Sequence, residues 1–571
     1  MIKINNKLSL ARAILLFTLV TLSASAQAQT DRQPKLILQI TVDALRGDLP
    51  GRFANVLGDG GFRYLMNQGI YYTNAHYQHA NTETIVGHVS LATGSTPAAH
   101  GMVANVWFDR ELDRLAYNIE DADYKLLTAG ADVDQKSEID PTQKAAKVEG
   151  RSPHNILTST LSDEMANHFA GKSKIFAVSV KDRGAVSLAG HAGKAFWFSK
   201  ASGEFVTSNY YYDKYPEWVN QWNARKPAMA YSGKAWELTH PASKYMFGDA
   251  DDKAYETDLA GFGKVFPHAY GQRDDKYFTT KLTLSPAGDE LTLDFAKALL
   301  DNEQLGQDAV PDYLSISFSS TDYVGHVFGA SSLETEDNLV RLDRTLADLF
   351  AYIDKKVGLE NTLIVLSADH GQPEVPGHLH ELGIGNAHYF DTDSLDKTPA
   401  IEALKKQFGI GEELIEAYFH PYIYLNYKQI REKGLEQATV EQAVASELMK
   451  FDGVAYALSS TALRTNKLPD NLLTRSILQN FHPKRSGDIY LAFEPNVFIN
   501  DFDGLTVAST HGSIWRYDTY VPVIFAGAGL PAAKVSRLVA PYDIAPTLAA
   551  CLKIKTPSGA FGMPLQEVLE Q

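Results

Sequence analysis

Thr362-Leu363-Ile364-Val365-Leu366-Ser367-Ala368-Asp369-His370-Gly371 is a short run of apolar, largely branched side chains that ends on a carboxylate, an imidazole and a glycine. Such a run reads as a strand buried on both faces, and the glycine lets the backbone turn sharply after it. Upstream, Leu339, Leu342, Leu346, Leu349 and Ile353 recur at helical spacing with charges between them, the pattern of an amphipathic helix. Before that helix stands another apolar run, Tyr313 to Phe318. Strand, helix, strand is the unit of a doubly wound fold, so the predicted class is α/β, with a mostly parallel sheet flanked by helices.

Similar runs at Leu36 to Val42, Ile175 to Val180 and Val521 to Phe525 are each expected as buried parallel strands. Chemistry-bearing residues follow them. Asp43 comes after Val42, Lys181 after Val180, Asp322 soon after Phe318 and Asp369 soon after Leu366. Ligands of open α/β sheets bind outside the carboxyl ends of the strands, so these four side chains are expected to converge at one edge. Two segments break the rhythm. Residues 200–278 are dense in tyrosine and tryptophan, and residues 401–491 mix strand and helix signals. Both are expected as insertions that cap the site, within a single catalytic domain over residues 29–571.

The 571 residues are 44% hydrophobic and 21% charged, the balance of a globular chain with an ample core. A net charge of −16 opposes a nucleic-acid polymer as partner. An anionic substrate then needs a local positive site, which bound metal and a few basic side chains can supply. Lys3, Lys7 and Arg12 precede the apolar run Ala13 to Leu22 and the small-residue motif Ala26-Gln27-Ala28. Residues 1–28 therefore read as a cleaved signal peptide, because the apolar run is too short to span a bilayer. Export to the periplasm without a membrane anchor is the expectation. The sole cysteine, Cys551, lies in an apolar stretch and is expected as a buried, inert thiol.

Asp322-Tyr323-Val324-Gly325-His326 sets a carboxylate and an imidazole four apart, on one face if the segment is helical. Thr510-His511-Gly512 brings a further imidazole late in the chain, before the run at Val521. Asp43, Asp322, Asp369, His326, His370 and His511 together suit two divalent ions, with the imidazoles favouring zinc. Two ions about 4 Å apart can clamp the attacking and leaving oxygens of an in-line phosphoryl displacement. A lone loop histidine is ordinarily structural, but six such groups placed mostly at strand ends outweigh that reading. His378, His380 and His388 form a competing cluster; no strand end presents them, so they read as a loop near the site. In Asn81-Thr82-Glu83-Thr84-Ile85-Val86-Gly87-His88, a hydroxyl precedes an apolar helix, whose N-terminus favours anions. Thr82 and Thr84 are both eligible nucleophiles. Lys181 and Arg183, two apart, suit the oxygens of a phosphoryl dianion.

In order and spacing these residues resemble the alkaline phosphatase superfamily, and within it the phosphate-irrepressible bacterial alkaline phosphatases with a threonine nucleophile. The resemblance spans Leu36 to Met563. It implies that one zinc is held by Asp43, Thr84, Asp369 and His370, and the other by Asp322, His326 and His511. It places the phosphoryl-contacting asparagine at Asn105 when Thr84, rather than Thr82, is the nucleophile. It also implies that Lys181 and Arg183 bind substrate and separate monoesterases from phosphodiesterases. One departure is Val86-Gly87-His88, where Pro-Gly-His is frequent; Arg46 and Asp48 also differ from commoner versions. The implied activity is hydrolysis of small phosphate monoesters to inorganic phosphate, with two zinc ions and a covalent phosphothreonine, by an expected monomer. The rival is a nucleotide pyrophosphatase or phosphodiesterase of the same superfamily. A sulfatase is disfavoured because the modification motif is missing, and an inert polymer-binding protein is opposed by the intact ligand set.

Overall fold

Leu36–Val42 (β1) runs through the middle of a nine-stranded sheet. The other strands are Ile70–His76 (β2), Ile175–Ser179 (β3), Lys194–Ser199 (β4), Glu204–Val206 (β5), Asp312–Phe318 (β6), Thr362–Ser367 (β7), Tyr520–Gly527 (β8) and Ala533–Val535 (β9). Their order across the sheet is β9-β2-β8-β7-β1-β6-β3-β4-β5. The structure, a computed structural model, describes residues 33–502 and 505–570, and the expected signal peptide lies outside them.

Neighbours from β7 through β1, β6 and β3 to β4 are parallel, with Leu36 opposite Asp312 on one side and Thr362 on the other. Every residue of β1, β6 and β7 is buried, which is why their sequences read as unbroken apolar runs. Alternation still operates. Leu38, Ile40 and Val42 join one core cluster, while Ile37 points into another on the opposite face. Helices Thr84–Thr93 (α1), Asp182–Ala189 (α2), Ser320–Phe328 (α3) and Leu333–Lys356 (α4) flank the sheet. On α4 the expected leucines and Ile353 all pack into the main core. Its start is capped by Ser332, whose side chain accepts the Thr335 N–H at 3.1 Å. Glu334 and Glu336 in its first turn and Lys355 and Lys356 in its last suit the helix dipole.

One strand departs from expectation. β8, read from Val521 to Phe525 as parallel, pairs antiparallel with both β7 and β2. Burial on both faces gives a strand the same apolar signature whichever way it runs, so direction was not readable there. Residues 401–491 carry an antiparallel four-stranded sheet of Ile415–Phe419, Tyr422–Leu425, Val454–Ser459 and Ile489–Phe493, with a core of its own. Within residues 200–278 the tryptophans are anchors. Trp222 and Trp236 are buried in the main core, and their indole N–H groups donate to Asp294 (2.8 Å) and Asp337 (2.7 Å). Cys551 is partly buried, and burial pushes its thiol up to about 11, where it is not a nucleophile. No helix among the described residues is long and apolar enough to cross a membrane.

Candidate active site

β7, β1, β6 and β3 are neighbours, so the residues after their carboxyl ends meet. Asp43 follows β1 with its N–H still bonded to Phe318 O at 2.9 Å, and Asp369-His370 follow β7. Ala44, next to Asp43, takes a left-handed φ of 61° and donates its N–H to Asp369 Oδ1 at 3.1 Å. A non-glycine residue in that region is strained, and the strain here sits between two candidate ligands. Helix α3 places Asp322 and His326 one turn apart, with His326 Nε2 3.3 Å from Asp322 Oδ1. His511 Nε2 lies 3.3 Å from the same oxygen. His370 Nε2 is 3.5 Å from Asp43 Oδ1 and 3.4 Å from Asp369 Oδ2, and its ring stacks on that of His511 with centroids 3.6 Å apart. The structure thus brings all six expected acid and imidazole ligands into one cluster.

Whether this cluster suits metal is decided by its hydrogen bonds. Each imidazole turns Nδ1 to a backbone carbonyl: His326 to Ser509 O (2.7 Å), His370 to Gly371 O (2.9 Å) and His511 to Thr82 O (2.9 Å). Donation from Nδ1–H to a carbonyl points each Nε2 at the carboxylates, the arrangement of metal-ligating histidines. Asp43 Oδ1, Asp322 Oδ1, Asp369 Oδ2 and His370 Nε2 are buried and make no hydrogen bond. Buried polar atoms are almost always satisfied, so a set of them converging on one point fits a cation. Asp322, His326 and His511 form one metal-competent group, and Asp43, Asp322 and His370 form another. Burial and the neighbouring Asp43 raise the Asp369 carboxyl, and although burial works against it, Asp369 and Asp43 hold His370 up at about 9.

Beside this cluster opens a cleft of about 650 Å³, lined among others by Thr84, Asn105, Arg183, Asp322, His326 and His511. Thr84 is the first residue of α1 and is almost wholly buried. Thr82, its competitor, is spent elsewhere, its hydroxyl donating to Ser513 O at 2.7 Å. Asn105 Oδ1 accepts the Ile85 N–H at 3.0 Å, which leaves its amide NH₂ for the cleft. Arg183 donates from one terminal nitrogen to Asp140 Oδ2 at 3.0 Å, while its buried Nε–H has no partner. Lys181 behaves differently from Arg183. Its ammonium lies 2.8 Å from Asp43 Oδ2 and also contacts Asp322, between the two metal-competent groups, and it does not line the cleft. Two buried carboxylates attract an ammonium far more strongly than an open cleft does.

Several supporting residues escaped the sequence reading. Asp140 holds Arg183, and the local signal at Asp140-Pro141 is only that of a helix cap. Glu83 accepts the Asn105 N–H at 2.7 Å and the Asn81 side chain at 3.0 Å; burial pushes it up to about 7 despite those bonds. His88 donates to Ser317 or accepts from it at 2.8 Å and lies 3.1 Å from Asp369. Arg46 pairs with Asp48 at 2.6 Å and Glu374 at 2.9 Å, bracing the loop after His370. Gly87 lets α1 approach the end of β7, since a Cβ there would sit 1.9 Å from Asp369 O. Gly87→Ala is therefore expected to cost about 3 kcal/mol of stability, read as a lower urea midpoint. His378, His380 and His388 lie apart from the cluster; His380 Nε2 bonds Ala387 O at 2.7 Å and His388 Nδ1 bonds Asn386 O at 2.9 Å.

A mostly parallel sheet ending in carboxylate–imidazole pairs beside a buried threonine defines a class, the metal-binding α/β hydrolases of the alkaline-phosphatase type. The chain belongs to the type I phosphodiesterase / nucleotide pyrophosphatase family, which it matches over residues 37–514. It is 35% identical over 545 residues to a protein of Myroides odoratus named calcium-transporting ATPase, covering 94% of this chain and 95% of that one. It is 34% identical over 545 residues to alkaline phosphatase PafA of Elizabethkingia meningoseptica, covering 94% and 95%. A crystal structure of wild-type alkaline phosphatase PafA matches with a TM-score of 0.84 at 33% identity, over 94% of this chain and 99% of that one. A second PafA structure, with a TM-score of 0.83 at 31% identity over 94% and 99% of the two chains, is substituted at a threonine, an asparagine, a lysine and an arginine. In it the threonine stands as far before the asparagine as Thr84 stands before Asn105, and the lysine and arginine are two apart, as Lys181 and Arg183 are.

Proposed function

We propose that this chain is a two-zinc alkaline phosphatase that hydrolyses phosphate monoesters through a covalent phosphothreonine on Thr84, exported to the periplasm and acting as a monomer. The observation that carries this reading is Arg183, a buried guanidinium with an unpaired Nε–H in the same cleft as Thr84 and Asn105. A monoester presents more unsubstituted charged oxygens than a diester, and a fixed planar cation favours it. The four residue types altered together in the PafA variant recur here at the same spacings, which supports assigning them to one site.

Thr84 Oγ attacks phosphorus in line, the P–O bond to the alcohol breaks, and water later cleaves the phosphothreonine, with retention of configuration overall. Asn105 and Arg183 hold the equatorial oxygens, where negative charge must be stabilised, and Asp140 fixes the guanidinium that does so. Lys181, which contacts Asp43 and Asp322, would turn its ammonium to the phosphoryl oxygens beside Arg183 when those carboxylates hold metal. Asp43, Thr84, Asp369 and His370 would hold one ion and Asp322, His326 and His511 the other. Zinc in those places would favour the Thr84 alkoxide and stabilise the negative charge of the departing alkoxide.

The test compares 4-nitrophenyl phosphate with its bis-diester. The monoester should be the better substrate, and Arg183→Ala should lower its kcat/KM by about 10²- to 10³-fold while changing the diester rate little. A wild-type protein that prefers the diester by a wide margin would overturn the assignment in favour of the phosphodiesterase rival.

A further inference from the structure

The cleft has an apolar side that the mechanism does not use. Ile139, Leu259, Leu284, Leu505 and Val507 line it, together with Tyr323. Ile139, Leu259, Leu284 and Tyr323 belong to the main core cluster, and Leu505 packs against it. The wall is thus the core itself, opened onto the site from well-separated stretches of the chain. Of the two ligand groups, Asp322, His326 and His511 line the cleft, whereas Asp43, Asp369 and His370 do not. The leaving-group side therefore faces the opening. With the phosphoryl oxygens at Asn105 and Arg183, the alcohol of a bound ester extends into the space this wall encloses. Arg183 is the one lysine or arginine among the described residues lining the cleft, and it is committed to the phosphoryl group. Val507 also borders a neighbouring groove of about 900 Å³ beside Tyr255, Tyr389 and Asn500.

We infer that this wall selects the alcohol: the preferred substrates are monoesters of apolar, extended alcohols, and Leu505 and Val507 are specificity determinants. The inference rests on the monoesterase reading above. Apolar area covered by the wall leaves water equally in the ground and transition states, so the gain appears in KM rather than in kcat.

Ethyl, butyl and hexyl phosphate share nearly the same leaving-group acidity and differ in apolar length, which makes them the probes. The wild type should favour hexyl over ethyl phosphate by about tenfold in kcat/KM, carried by KM. Leu505 is only partly buried, so Leu505→Asp and the milder Leu505→Ala should fold. Leu505→Asp should remove most of the hexyl advantage, and Leu505→Ala part of it, while ethyl phosphate stays within about twofold of wild type. Equal kcat/KM along the series in the wild type, an undiminished hexyl advantage in Leu505→Asp, or a loss shared equally by all three esters would overturn the inference. A wild type that cleaves diesters but none of the three monoesters would overturn the monoesterase reading itself, and this inference with it.

Discussion

Thr84→Ala is expected to lower kcat/KM on 4-nitrophenyl phosphate by about four to six orders of magnitude, the loss typical when a covalent nucleophile is deleted from an otherwise intact site. The fold should be untouched. Thr84 is the first residue of α1, and alanine suits that position. A steady-state assay gives the loss, and acid-quenched labelled phosphate gives the intermediate. Wild type should carry label on Thr84, and the alanine variant none. A variant that still forms the phosphoprotein would assign the nucleophile elsewhere. Thr82 is a poor substitute, because its hydroxyl is already bonded to Ser513 O at 2.7 Å. Serine at position 84 should retain much of the activity, since it keeps the oxygen.

Thorough chelation is expected to abolish turnover and also to lower the unfolding temperature, with both restored by zinc. The second effect follows from burial. Asp43, Asp322 and Asp369 are each 2% exposed or less, with the Lys181 ammonium against the first two and the His88 and His370 imidazoles beside the third. A ligand that binds only the folded state stabilises it by about 4 kcal/mol when present at a thousandfold over its Kd. Calorimetry with and without chelator reads this directly. Activity that survives complete removal of divalent metal would exclude the metal mechanism, whatever the stability does.

Much of this architecture is legible in the chain because its physical cause is local. Leu36 to Val42 and Thr362 to Leu366 are buried on both faces and read as strands without ambiguity. The rule that sites form beyond carboxyl strand ends then gathers Asp43, Lys181, Asp322 and Asp369 before any coordinate is known. What stayed hidden depends on contacts between distant segments. The direction of β8 leaves no trace in its composition. Asp140 looks like a helix cap, and it is one, accepting the Thr142 N–H at 2.9 Å; its grip on Arg183 belongs to another part of the chain. Glu83 gives no signal beyond its place beside Thr84. Lys181, expected beside Arg183, contacts Asp43 and Asp322, a pairing that spacing alone does not reveal.

The bonds that tie Thr82 to His511 and Ser513 also set an order of events. Parallel pairing joins β1 to β6 and β7, whose residues are made hundreds of positions later, and such long-range closures are slow to form. His511 is steadied by Thr82 O, and the Thr82 hydroxyl is tied in turn to Ser513 O, so each end of the chain holds the other in place. A nascent polypeptide carries Thr84 long before it carries His511. A chain cut short before Thr510 lacks His511 and Ser513, so it cannot close the cluster that these bonds complete.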